Sequence, residues 1–296
     1  MTAPKLQVPD HFEAFDIGLL GGPGEQLYRK ARPEIDAMPW GTIDLSAFPE
    51  TTIARARRVW TMAAFQEYRT GAACSLALQH LFRVQAPLDL IAVATRFPLD
   101  EVVHVELCGR LVAELGGAME LRHDPASLVP RLKPELDPLL QCAEIMMRVF
   151  CVGEAVSIPI LRASWQHAEL PLLRAILGRI VKDEAVHGQL GFWFLDWCGD
   201  AFDADERAHL ERAARDEIGK LLQSWARFET PALGAEADEV PGAFGLSDAG
   251  DDAGTLGWMP VDVYLPTAHQ ALDDAVLKPL LDRGFDPRRA EPIPGH

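Results

Sequence analysis

A carboxylate inside an apolar helix face is costly unless something compensates its lost hydration. Four long stretches of this chain carry one in the same way. Each has apolar residues at helical spacing, and each sets a single glutamate in the middle of that stripe. Positions three, four and seven apart share a helix face. By that rule Glu67 lies with Trp60, Ala63, Ala64, Thr70, Gly71 and Cys74, and Glu101 lies with Ala94, Phe97, Val105 and Cys108. Glu154 lies with Met147, Phe150, Cys151, Ser157, Ile158 and Leu161, and Glu184 with Leu177, Ile180, Val181, Gly188 and Gly191. Two of the four glutamates have a histidine one turn on, at His104 and His187.

The spacing brings a carboxylate and an imidazole onto one face, where both can reach a single cation. The lone glutamates, Glu67 and Glu154, can then bridge or cap a pair of cations. Four carboxylates and two neutral imidazoles carry a charge that two divalent ions offset. Oxygen and nitrogen donors in this mixture suit iron or manganese better than thiol-rich zinc sites do. Asp100 and Asp183 directly precede the two paired glutamates. Each is placed to accept the free N–H of a metal-bound histidine, including the histidine of the opposite pair.

Two further Glu-x-x-His matches, Glu120 to His123 and Glu206 to His209, differ in context. Glu120 lies between Gly116-Gly117 and Asp124-Pro125, which reads as a loop. Glu206 sits among Asp203, Asp205 and Arg207, a solvated first helical turn. His80 and His167 read as ordinary polar positions.

The pattern predicts an all-α chain. Residues 1–52 form an irregular extension punctuated by Pro and Gly, with a short helix over Leu27–Asp36. A bundle spans residues 53–228. Its helices are expected at Ile53–Val84, Leu88–Leu115, Pro138–Glu169, Leu170–Cys198 and Asp203–Phe228, the last capped by Asp203. Pro98 and Pro159 lie inside two of these and should bend them. Residues 229–296 are expected to be a long loop to about residue 265, a helix over Thr267–Arg283, and a frayed tail after Phe285.

The formal charge of −16 disfavours nucleic acid and anionic membrane surfaces, which need clustered Lys and Arg. No apolar run reaches the roughly 20 residues of a membrane span, and no signal-peptide pattern opens the chain. Five cysteines, an odd number without a Cys-x-x-Cys pair, read as reduced thiols in a cytoplasm.

Over residues 53–198 the order Glu67, Glu101/His104, Glu154, Glu184/His187 resembles the ferritin-like di-iron carboxylate family. The resemblance implies a ferritin-like four-helix bundle with a fifth long helix. It implies two iron ions, or a manganese–iron pair, with Glu67, Glu101 and His104 serving one metal and Glu154, Glu184 and His187 the other. It also implies oxygen activation: O2 is reduced at the metal pair and a small organic molecule beside it is hydroxylated, N-oxygenated or desaturated. Such a cycle takes two electrons from a donor such as a ferredoxin or flavin reductase. A homodimer is common among such bundles.

About 50 residues before the bundle and about 100 after its fourth helix favour an oxygenase or oxidase over a ferroxidase or iron-handling protein, which needs only the bundle. Gly71, Cys108, Phe150, Cys151, Ser157 and Ile158 are expected to line an apolar cavity beside the metals. Cys108, one turn beyond His104, stands where the ribonucleotide reductase small subunit holds its radical tyrosine, so a tyrosyl radical is not expected. That cysteine is similar to the one in bacterial multicomponent monooxygenases. Ile180 stands where arylamine N-oxygenases carry an extra histidine, which sets this chain apart from them.

Overall fold

The computed structural model describes residues 11–229, 246–247, 256–257 and 259–289. Among the described residues the chain is all-α apart from two-residue strand pairs. The short helix expected before the bundle is two, α1 (Gly22–Ala31) and α2 (Pro33–Asp36). Arg32 leaves helical geometry between them because the following proline disfavours it there.

Four rods make the bundle. The first is α3 (Glu50–Arg83). The second, expected to be continuous, is α4 (Leu88–Ala94) followed by α5 (Phe97–Glu114). Pro98 has no N–H to give to Ala94, so the backbone breaks at Thr95 and Arg96 rather than bending. The third rod is α6 (Pro138–Ile145), a π-helical segment over Met146–Glu154, and α7 (Ala155–His167). Nothing in the apolar spacing announces the π segment. The fourth is α8 (Pro171–Cys198), followed by α9 (Ala204–Glu229). As expected, Asp203 caps α9: its carboxylate accepts from the N–H groups of Asp205 and Glu206, and Glu206 returns a bond to the Asp203 N–H.

The last helix starts earlier than the sequence suggests. It runs as α10 (Val261–Ala271), a π turn (Leu272–Leu277) and α11 (Lys278–Asp282). Pro260 precedes its first turn, and Tyr264, Ala268, Ala271 and Val276 pack it against α7 and the rest of the bundle core. Beyond it Asp286 is tied to Glu211 by its backbone N–H, so the expected fraying does not begin at Phe285; residues 290–296 lie outside the described residues. Most of the expected loop over 229–265 also lies outside them.

The core is in two parts. One gathers Ala77, Leu81, Phe97, Phe150, Leu190 and Phe194, and the other Trp60, Ala64, Leu107, Leu111, Leu173 and Leu177. Along α3, α5 and α8 the residues of one part precede, and those of the other follow, the glutamates singled out by the sequence. A layer of buried polar groups therefore separates two apolar halves. Glycines let the rods close on this layer. A Cβ on Gly71 would lie 3.1 Å from the Glu101 Cβ, and one on Gly191 would lie 2.9 Å from backbone atoms of both Met146 and Cys151.

Among the described residues, no helix is long and apolar enough to cross a membrane.

Candidate metal centre

Glu67 comes from α3, Glu101 and His104 from α5, Glu154 from the last residue of the π segment, and Glu184 and His187 from α8. All six are buried, with Glu101, His104 and His187 wholly so. They converge in two overlapping groups. Donor atoms of Glu67, Glu101, His104 and Glu184 lie within 4.8 Å of one another, as do those of Glu101, Glu154, Glu184 and His187. Glu101 and Glu184 belong to both. The shared positions are therefore the glutamates paired with histidine, while the lone Glu67 and Glu154 stand at the two ends. The sequence left open whether the lone glutamates bridge or cap; here each belongs to only one of the two groups.

Both imidazoles turn Nδ1 inward. His104 Nδ1 is 3.2 Å from Glu184 and 3.3 Å from Glu67, and His187 Nδ1 is 3.0 Å from Glu101 and 3.2 Å from Glu184. The outward Nε2 atoms face the aspartates of the opposite pair, His104 toward Asp183 at 3.4 Å and His187 toward Asp100 at 3.6 Å. That crossed arrangement is the one expected for aspartates that fix the ring orientation of metal-bound histidines.

Packed this way without a cation, the groups fit poorly together. Neither Glu101 oxygen, nor Glu184 Oε2, nor His187 Nδ1 has a hydrogen-bond partner despite complete burial. Such orphaned polar atoms are rare in folded proteins and call for an explanation. Desolvation drives the Glu67 carboxyl up to about 8 and raises Glu154 as well. Desolvation works to lower His187, but the charge of Glu184 and the nearby carboxylates of Asp100 and Glu101 outweigh it and lift the imidazole to about 12. Orphaned donors, convergent geometry and an all-oxygen-and-nitrogen donor set fit metal ions.

Two arginines complete the surroundings and were missed in the sequence. The Arg96 guanidinium, at the break between α4 and α5, reaches Asp100 at 2.7 Å and Asp183 at 3.0 Å. Arg179 reaches Asp183 at 2.6 Å and also pairs with Glu34 of α2. Each arginine precedes its aspartate by four residues, an ion-pair spacing that the sequence offers in plain sight. Six carboxylates, two guanidiniums and two divalent cations would leave the centre neutral.

A cavity of about 810 Å³ opens on one edge of this layer, lined there by Glu67, Glu154 and Glu184. Its walls come from α3, the third rod, the loop Ser127–Arg131, α9 and Tyr264 of α10. Of the expected lining residues only Ser157 takes part. Cys108 is wholly buried in the other half of the core, Phe150 packs against Phe97, Cys151 and Ile158 face the glycines of α8, and Gly71 backs onto Glu101. The π segment is the reason. With hydrogen bonds to the fifth residue, a π turn places Val149, five before Glu154, on the cavity face where α-helical counting puts Phe150.

The two discounted Glu-x-x-His matches stand apart from the centre. His123 lies in a two-residue strand paired with Glu13–Ala14 and packs on Phe65, while Glu206 caps α9. His209 is not solvated as its turn suggested: it meets the buried Glu144 at 2.9 Å. Comparison with protein-family models, curated proteins and solved structures finds no match to this chain.

Proposed function

We propose that this chain is a ferritin-like di-iron protein that uses O2 to oxidise a small organic molecule. The observation that carries the reading is the cavity. It has the volume of a small-molecule site, it meets three of the six candidate ligands, and its far wall is built by α9 and α10, which lie outside the four rods. A protein that only oxidises and stores iron has no need of that wall.

Iron bound by Glu67, Glu101, His104, Glu154, Glu184 and His187 would supply the electrons that reduce O2 and the oxidising power delivered to the substrate. The chain supplies the rest. Glu101 and Glu184, common to both ligand groups, would serve both metals, and Glu67 and Glu154 face the cavity where a substrate would bind. Asp100 and Asp183, clamped by Arg96 and Arg179, hold the imidazoles with Nδ1 inward. The two apolar halves of the core exclude bulk water from the polar layer. Two electrons per turnover require a separate reductase as partner.

The test is O2 consumption by Fe(II)-loaded protein with a chemical reductant and a panel of small organic compounds. Uptake that depends on one of them, and is lost in Glu101→Ala, supports the reading. Fe(II) oxidation that stops at mineral formation, whatever compound is present, supports a ferroxidase instead.

A further inference from the structure

The cavity carries more charge than its metal-facing end accounts for. Arg148 is committed: it meets Glu144 at 2.8 Å and lies 3.8 Å from both Asp216 and Glu217. Lys220 meets Glu217 at 2.8 Å. Arg131 is exposed at the rim. Arg69 differs from all three. It lines the cavity, is half-buried, and among the described residues has no carboxylate within ion-pair distance. Arg69 leaves α3 two residues after Glu67, so their backbones are ~3 Å apart along the helix axis.

We infer that Arg69 is the anchor for a carboxylate on the substrate, and that the enzyme acts on a small monocarboxylic acid with an apolar body. A guanidinium matches a carboxylate through two parallel hydrogen bonds. One spare cation among several acidic neighbours suits one negative charge and disfavours a phosphate dianion. The apolar body has a bed in Val149, Val156, Ile160, Leu161, Trp225 and Tyr264. Anchored at Arg69, it extends along the wall that also bears Glu67 and Glu154, and its carbons reach the metal edge while the acid group stays off it. This assignment of substrate class rests on the oxidase reading, and its test is chosen to stand apart from it.

The probes are benzoate, phenylacetate and octanoate, each against its neutral amide, titrated calorimetrically into metal-free protein and into protein loaded with redox-inert Zn(II). No turnover is involved, so the result is separate from whether the centre activates O2. At least one acid should bind at least tenfold more tightly than its amide. Arg69→Met should abolish that preference, Arg69→Lys should keep part of it, and Arg131→Met should leave it intact. Unchanged melting behaviour of Arg69→Lys guards against a folding defect. The inference is overturned if acids and amides bind alike, if none of the acids binds, or if Arg69→Met keeps the preference in the Zn(II) form, which would seat the carboxylate on the metals.

Discussion

Replacing Gly191 by alanine should destabilise the fold, while the same change at Gly109 should stabilise it. Both glycines lie inside helices, so each alanine gains up to ~1 kcal/mol of helix propensity. A Cβ at Gly109 meets nothing within 4 Å. A Cβ at Gly191 would sit 2.6 Å from Cys151 Sγ and 2.9 Å from both the Cys151 nitrogen and the Met146 oxygen. Those last two atoms belong to residues five apart, the spacing of the π turn, and backbone cannot swing aside as a side-chain tip can. Overpacking of this kind costs about 1–3 kcal/mol, and contacts this short on backbone belong at the upper end. The net change at Gly191 is then a loss of ~1–2 kcal/mol, against a gain of up to ~1 kcal/mol at Gly109. For a chain of this size each kcal/mol moves the melting temperature by roughly 2–4 °C. Differential scanning calorimetry of the metal-free variants reads the contrast directly. Gly191→Ala should melt roughly 2–8 °C below the parent, and Gly109→Ala up to roughly 4 °C above it. The methyl also presses on the segment that ends in Glu154, so Gly191→Ala should bind metal more weakly while Gly109→Ala should not. Equal stabilisation by both alanines would refute the close approach of α8 to the π segment.

Metal loading should depend on pH with a definite sign. Burial raises the Glu67 carboxyl from 4.5 to about 8, so the metal-free fold is favoured with that group protonated and loses this stability as pH rises toward about 8. Cations must displace the proton, so apparent affinity should climb steadily from pH 6 through about 8; a proton-release titration that stays flat over this range would contradict the burial argument. Removing the cap with Asp203→Ala should cost ~1 kcal/mol and lower the melting temperature by a few degrees without changing metal content; an unchanged melting curve would show that the α9 cap contributes nothing. Arg96→Met should leave Asp100 and Asp183 without their shared clamp, weakening metal binding several-fold, and calorimetric titration with Mn(II) checks it; an undiminished affinity would show that the clamp does not orient the histidines.

The centre was legible because its physics is local. A glutamate on an apolar stripe is conspicuous in a single sequence, and the four stripes were long enough to fix four helices. The crossed aspartates were legible for the same reason, since each is adjacent to its glutamate. What failed depends on backbone hydrogen bonding that apolar spacing does not encode. Pro98 produced a full break where a bend was expected, and that break frees Arg96 to span two helices. The π segment rotated the third rod so that Val149 and Gly153 replaced Phe150 and Cys151 at the cavity. Arg69 went unnoticed because a lone arginine beside Tyr68 and Thr70 looks like any solvated helix position until the fold sets it in a cavity wall. The start of the last helix was hidden by prolines at 260 and 266, which read as loop signals although the first can directly precede a helix and the second sits in its second turn.

The most direct measurement is the anomalous X-ray scattering of crystals grown with Fe(II) or Mn(II), together with metal analysis of the same protein. The account predicts two peaks per chain roughly 3.5–4 Å apart, one among Glu67, Glu101, His104 and Glu184 and the other among Glu101, Glu154, Glu184 and His187. A chain that takes up no metal, or takes it up elsewhere with these six groups bonded only to each other, would contradict it.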